Sequence, residues 1–190
     1  MGVLVLGLVL FLGMHSVAIV SPKLRERVCG RLGEGAWKGL YAIVSLAGLV
    51  LIIYGFGLAR PEGPVLYSPP IWLRRAALVF MLPVFPLLIA AYLPGRIQAA
   101  AKHPMLASVK LWAFAHLLAN GLLADVVLFG SFLVWAVADR ISLKHRPPRM
   151  KPNAPSGRWN DAIAVVLGLA IYVLAIGWLH VWLFGVSPLT

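Results

Sequence analysis

Residues 161–185 read DAIAVVLGLAIYVLAIGWLHVWLFG, and their one charged side chain is Asp161 at the first position. An apolar run of this length can cross the hydrocarbon core of a bilayer, which needs about 20 residues of helix. Aromatic residues stand toward both ends, which is typical of helices anchored at two membrane surfaces. These residues are Trp159, Trp178, Trp182 and Phe184. The run therefore predicts a transmembrane helix.

The composition of the whole chain agrees with a membrane protein. Of 190 residues, 61% are hydrophobic and only 12% are charged, which leaves too little polar surface to cover a soluble domain. Lipid offers backbone groups no hydrogen-bond partners, so the spans should be helical. We expect an all-α, polytopic transmembrane helix bundle that forms a single domain over residues 1–190.

Three further apolar blocks predict spans in the first half of the chain. The first block lacks a basic leader and a small-residue cleavage site, so we interpret it as a retained helix and not as a signal peptide. The third contains Pro83 and Pro86, which predict a bend. No small-residue packing motif stands out in these blocks. They cover residues 2–20, 37–59 and 73–93.

The segment between residues 104 and 138 is apolar but broken near its middle. One straight helix would be roughly 50 Å long, whereas the hydrocarbon core is only about 30 Å thick. Basic residues flank the segment on both sides, which places both ends on one side of the membrane. A hairpin of two short helices, 104–119 and 122–138, satisfies both demands, with Asn120 and Asp125 at a hydrated tip. The total becomes about six spans.

Lys and Arg set the orientation, because basic residues in short loops stay in the cytoplasm. They concentrate in the loops after the first, third and fifth spans, so both termini should be non-cytoplasmic. The net charge of +11 then reflects topology and contact with the lipid bilayer, and no nucleic-acid partner is predicted. The basic, proline-rich stretch Lys144–Arg158 is predicted to be a surface loop.

Polar side chains inside the membrane are costly, which makes them candidates for function. His15 lies in the first span and His116 in the fourth. A neutral imidazole can ligate haem iron at no charge cost, so the two form a candidate metal and cofactor site. Alternatively, each histidine hydrogen-bonds a neighbouring helix. A shared site requires helix tilt, because His15 lies roughly 8 Å, and His116 roughly 18 Å, from the cytoplasmic ends of their helices.

Two other histidines lie at span ends. His103 precedes Pro104, which fits the first turn of a helix, so His103 should cap that helix and meet cytoplasmic ligands. His180 lies between Trp178 and Trp182, where an interfacial role in the aromatic belt is the simpler interpretation.

Two stretches resemble the NnrU family of membrane proteins. One is KHPMLASVKLWAFAHLLANGLLADVVLFGSFLVWAVADR at 102–140, and the other is FLGMHS at 11–16. The resemblance extends over essentially the whole chain. It implies a multi-pass protein of the bacterial inner membrane, associated with denitrification and with nitrite and nitric oxide reduction. Protein partners are not indicated.

The resemblance also implies a cofactor. The related zeta-carotene isomerases of plants and cyanobacteria are haem b enzymes, and their haem ligands fall on the positions of His15 and His116. Carotenoid cis–trans isomerisation is therefore an alternative to a redox function, and catalytic residues are not assigned. The isomerases carry a cysteine three residues before the second histidine, where this chain has Ala113. The ligand exchange proposed for that cysteine has no equivalent here.

A more distant resemblance is to membrane methyltransferases that use S-adenosylmethionine. In those enzymes a basic-His-Pro motif at a helix start helps to hold the cofactor, and Lys102, His103 and Pro104 fit it loosely. The acidic residues usual after the following hairpin are absent from this sequence, where a basic loop stands instead. This interpretation ranks third.

Overall fold

The computed structural model describes residues 1–146 and 154–189. Within these ranges the chain forms α-helices, a π-helical turn and an isolated β-bridge, and it contains no β-strand. The predicted all-α class is therefore confirmed. The helices are α1 (Gly2–Val20), α2 (Pro22–Glu62), α3 (Ile71–Met81), α4 (Val84–Ala90), α5 (Arg96–Ala101), α6 (Pro104–Ala119), α7 (Leu123–Ser142), α8 (Asn160–Leu174) and α9 (His180–Phe184), and the π-helical turn Ala175–Leu179 joins the last two.

Four helical stretches in the described ranges are long and apolar enough to cross a membrane. They are Gly2–Val20, Glu26–Glu62, Ile71–Ala90 and Asn160–Phe184. Helix α6 is apolar but shorter, and α7 carries Asp125, Asp139 and Arg140 among its 20 residues. The chain is thus a multi-pass, membrane-embedded helical protein.

The chain divides into two compact units. The first contains Met1–Ser68 and Gly121–His145, and the second contains Pro69–Asn120 and Arg146–Thr190. Helices α1, α2 and α7 belong to the first unit. The helical conformation is interrupted between α6 and α7, at the place where the sequence predicts a turn. The two helices of the predicted hairpin belong to different units.

Glycines bring α1 and α2 into close contact within the first unit. A Cβ added to Gly7 would lie 2.6 Å from the backbone nitrogen of Ile52, and one added to Gly48 would lie 2.7 Å from that of Phe11. A Cβ on Gly55 would meet the backbone nitrogen of Leu4. Helix α1 and residues 39–59 of α2 are apolar on every side, so no hydrophobic stripe selects the packing face there, and small residues select it instead. This packing motif was not recognised from the sequence.

Helix α2 begins much earlier than predicted. The first loop was expected to run to residue 36, yet the chain is helical from Pro22, with a break at Gly33, where φ is 84° and ψ is 160°. Lys, Arg and Glu are good helix formers, so their charge marks a position outside the hydrocarbon core and not an irregular backbone. An exposed ion pair of 3.3 Å, between Lys38 and Glu34, supports the helix after the break.

In the second unit, the predicted proline bend separates α3 from α4 at Leu82 and Pro83. The Leu82 N–H donates to the carbonyl of Val79 at 3.2 Å and not to that of Leu78, the usual helical partner four residues earlier. The carbonyl of Leu78 instead accepts a 3.0 Å hydrogen bond from the hydroxyl of Tyr172 on α8. A side chain from another helix therefore satisfies a backbone group at the bend.

The predicted surface loop Lys144–Arg158 lies partly outside the described residues, because 147–153 fall in the gap. Its last part is attached to the second unit, where the Ala154 N–H donates to the Tyr92 carbonyl at 3.0 Å.

Candidate cofactor site

His15 lies near the end of α1 and bonds to its own helix. Its Nδ1 is 2.7 Å from the carbonyl oxygen of Phe11, one turn earlier. A carbonyl only accepts hydrogen bonds, so Nδ1 carries the proton and the neutral ring presents the lone pair of Nε2. Metal-bound histidines usually have this arrangement, in which the bond at one nitrogen fixes the ring and makes the other more basic.

Aromatic rings surround the imidazole of His15 within the first unit. The Phe11 ring is stacked on it with 4.2 Å between ring centroids. Tyr41 of α2 lies at 5.2 Å and Trp135 of α7 at 5.9 Å, the latter perpendicular to the imidazole. The three helices thus place His15 among large, flat and mostly apolar groups.

The indole N–H of Trp135 is buried and has no hydrogen-bond partner among the described residues. Such a group normally costs free energy, so an orphaned donor calls for an explanation. Because this indole lies beside His15, a polar atom of a bound ligand would explain it.

His116 repeats the backbone arrangement of His15 in the second unit. Its Nδ1 lies 2.8 Å from the carbonyl oxygen of Trp112, so the same nitrogen carries the proton. The ring centroids of Trp112 and His116 are 5.3 Å apart. The Asn120 side-chain amide donates to the His116 carbonyl at 3.0 Å, which caps the end of α6.

His180 was predicted to be an interfacial residue, and the structure gives it a further relationship. It lies close enough to His116 for the two imidazoles to interact electrostatically. Its own Nδ1 is 2.6 Å from the carbonyl of Val186, and its ring packs on Phe184 with 5.0 Å between centroids. The sequence offered no signal for this proximity, because the two histidines are far apart along the chain.

His103 occupies the N-cap position of α6, with Pro104 in the first turn as predicted. The backbone just before it is unusual. Lys102 has φ 58° and ψ −42°, and the His103 N–H donates to the Ala101 carbonyl at 2.6 Å. This three-residue turn is a strained γ-turn, which a residue other than glycine rarely adopts.

The prediction that Asp125 lies at a hydrated tip is wrong. Its side chain is 2% exposed, and Oδ1 lies 3.7 Å from Nε of Arg60 at the end of α2. The Leu122 N–H donates to Oδ2 at 3.2 Å, so the carboxylate also caps α7. Partial burial of the nearby Tyr67 phenol raises its pKa above the usual value, and the negative charge of the Asp125 carboxylate raises this pKa further.

Two short segments, 64–67 and 121–123, are hydrogen-bonded to each other at the start of α7. The Leu66 N–H donates to the Gly121 carbonyl at 2.8 Å, and the Leu123 N–H donates to the Pro64 carbonyl at 2.9 Å. A side chain at Gly121 would collide with the Tyr67 carbonyl, so the glycine permits this approach. Arg60, which forms the ion pair with Asp125, was not identified from the sequence.

The predicted cofactor residues are distributed over both units. His15 belongs to the first unit, whereas His103 and His116 belong to the second. The pairing of His15 with His116 stays a prediction. Within the described ranges, His, Cys, Asp and Glu form no group of three or more that could hold a metal ion.

The chain matches the NnrU protein family over residues 3–188. The chain belongs to the NnrU family. A comparison with curated proteins and one with solved structures gave no significant match. The family resemblance carried by residues 102–140 and 11–16 is thus confirmed, and the match covers both compact units of this NnrU family member.

Proposed function

We propose that this NnrU family protein binds haem b and takes part in membrane redox chemistry linked to nitrite or nitric oxide reduction. His15 and His116 are the residues that would hold the haem iron. One observation carries the proposal. The His15 ring is fixed by its bond to Phe11, presents Nε2 and stands among aromatic rings contributed by α1, α2 and α7.

The groups around His15 fit a haem. A macrocycle is flat and largely apolar, and it packs favourably against the faces and edges of aromatic side chains. The orphaned indole N–H of Trp135 offers a donor to the polar periphery of such a group. His116 supplies a second imidazole with the same nitrogen protonated.

The chain's own residues then have definite roles. Haem supplies reversible one-electron transfer when it is bound, with a potential that depends on its ligands, nearby hydrogen bonds and burial. The Phe11 carbonyl holds the proton on Nδ1 of His15, and the Trp112 carbonyl does the same for His116. The rings of Tyr41 and Trp135 pack against the first imidazole and would limit the access of water to it.

Absorption spectroscopy tests the proposal. The full-length protein, purified in mild detergent from haem-supplemented cells, should show a Soret band, with sharp α and β bands after reduction by dithionite. His15→Ala and His116→Ala should each lose this spectrum, whereas His145→Ala, which changes an exposed histidine, should retain it. A folded, monodisperse preparation that binds no haem would contradict the proposal.

Carotenoid isomerisation is an alternative that rests on the same haem. Ala113, at the position of the isomerase cysteine, is fully buried one turn before His116 and brings no thiolate. Incubating the haem-loaded protein with a cis-carotenoid and separating the isomers by chromatography would test this alternative. We expect no conversion above that of the His116→Ala variant.

S-adenosylmethionine binding at the start of α6 is a second candidate, favoured by one observation. The strained turn at Lys102 immediately precedes His103, and strain of this kind concentrates at ligand sites. Titration calorimetry with S-adenosylmethionine tests it. Binding that is lost in His103→Ala and retained in His145→Ala would favour methyl transfer, and no heat of binding would exclude it.

A further inference from the structure

The second unit contains a shallow concavity where two distant segments meet. Its volume is about 520 Å³, and Pro94, Gly95, Arg96 and Ala99 line one side while Ser156, Gly157 and Arg158 line the other. Two arginines and a serine are therefore among the residues that line one small surface.

Hydrogen bonds between the two segments build this concavity. The side-chain amide of Asn160, a residue only 8% exposed, donates to the Pro94 carbonyl at 2.8 Å and to the Pro155 carbonyl at 3.1 Å. The Asp161 carboxylate accepts the N–H groups of Arg96 and Ile97 at 2.9 and 3.0 Å. These side chains hold the loop after α4 against the chain entering α8.

The concavity lies where two candidate spans, Ile71–Ala90 and Asn160–Phe184, end or begin. That level corresponds to the headgroup layer of a bilayer. Trp159 is 61% exposed there, and the guanidinium carbon of Arg158 lies 4.8 Å from its ring centroid. An exposed tryptophan beside arginine is typical of a membrane interface.

We propose that Arg96, Arg158 and Ser156 form a site for a phosphate group, supplied by the headgroup of an anionic phospholipid. Guanidinium groups bind phosphate oxygens through paired, charge-assisted hydrogen bonds, and two of them on one concavity suit a phosphodiester. The hydroxyl of Ser156 can add a further donor.

Among the described residues, the Asp161 carboxylate lies against Gly95 at the edge of the concavity and attracts the charge of Arg96. Both oxygens of Asp161 already accept backbone N–H groups, so its role is to hold the loop in position. The positive-inside orientation predicted from the sequence would put the site in the cytoplasmic leaflet, where anionic lipids give a negative surface potential.

Native mass spectrometry of the full-length protein tests the site. The probes are phosphatidylglycerol and phosphatidylcholine, added in matched amounts to the protein in mild detergent. The double variant Arg96→Gln/Arg158→Gln should retain about tenfold less phosphatidylglycerol than the unchanged protein, because two charge-assisted contacts are lost. The matched control is Arg27→Gln/Arg31→Gln, which removes the same charge from two exposed arginines and should retain phosphatidylglycerol almost fully.

Equal losses in both double variants would overturn the proposal in favour of general surface charge. A second variant, Arg96→Lys/Arg158→Lys, keeps the charge but removes the paired donors, and it should bind less phosphatidylglycerol than the unchanged protein. Full phosphatidylglycerol binding by this lysine variant would also overturn the proposal, because it would show that the guanidinium groups are not needed. All variants must elute as folded, monodisperse protein.

Inorganic phosphate distinguishes the two sources of the ligand. With a lipid as the ligand, millimolar phosphate should displace little phosphatidylglycerol and should not raise the melting temperature. A phosphate-dependent rise in melting temperature that disappears in Arg96→Gln/Arg158→Gln, without any preference for phosphatidylglycerol, would assign the site to soluble phosphate and overturn the lipid assignment.

Discussion

Oδ1 of Asp125 lies 3.7 Å from Nε of Arg60, and the carboxylate is almost completely buried while the guanidinium side chain is 29% exposed. The pair joins the end of α2 to the start of α7 within the first unit. The Arg60 guanidinium also lies 5.9 Å from the ring centroid of Phe56, and that ring contacts Phe129 of α7 edge-on at 6.4 Å. An electrostatic and an aromatic contact thus connect the same two helices.

Asp125→Ala should destabilise the protein more than Asp125→Asn. The alanine variant loses both the ion pair and the cap on the Leu122 N–H, whereas asparagine can still accept that hydrogen bond. We expect a loss of about 2 kcal/mol for alanine, since Arg60 keeps partial access to solvent. Thermal unfolding in detergent, followed by circular dichroism, measures the difference. As a control, Glu34→Gln breaks an exposed ion pair and should change little.

Gly55→Val should disrupt the packing of α1 on α2. Its side chain would meet the backbone of Leu4 and Val3, which cannot move aside as a flexible side chain would. Overpacking of this kind costs about 1–3 kcal/mol, so the melting temperature should fall. Gly57→Val is the matched control on the same helix, because a Cβ there meets nothing within 4 Å. Equal melting temperatures for the two variants would refute the glycine-mediated contact.

Tyr172→Phe should destabilise the second unit by about 1 kcal/mol, because the Leu78 carbonyl at the proline bend loses its donor. The control is Tyr54→Phe, which removes the hydroxyl from a side chain that is 61% exposed. Thermal unfolding of both variants decides the question. A loss in Tyr54→Phe as large as that in Tyr172→Phe would argue against a specific role for the interhelical bond.

Trp135→Phe should lower haem occupancy without destabilising the haem-free protein. It removes an indole N–H that has no partner in the described ranges, so the haem-free protein should be as stable as before or more stable. If a ligand accepts that N–H, haem occupancy should fall, as measured by the ratio of Soret to protein absorbance. Unchanged occupancy would remove Trp135 from the candidate site while leaving His15 in place.

Hydropathy and proline positions predict much of the helical framework from sequence alone. The first helix has the predicted ends, Gly2 and Val20, and the interruptions at Pro83 and after Ala119 fall where expected. These features are local, because a long apolar run or a proline acts on its own backbone. The extent of α2 was missed because basic residues were interpreted as a loop.

The contacts at the candidate sites depend on tertiary structure and had no local signal. Arg60 meets Asp125 only because the chain between α2 and α3 packs on the start of α7. Likewise, His15 was selected from sequence as a polar residue in a span, but its neighbours Tyr41 and Trp135 come from two other helices. Chemistry-bearing residues can thus be found in the sequence, whereas their surroundings require the fold.

The break at Gly33 divides α2 into a basic segment before it and a membrane-spanning segment after it. An uninterrupted helix of 41 residues would be a rigid rod about 60 Å long. Any displacement along its axis, or any tilt, of the membrane-spanning part would then be transmitted in full to the basic end. A positive φ at one glycine interrupts that rod. A change in the tilt of the span therefore need not be transmitted in full to the basic segment, and the position of one glycine sets where the helix is divided.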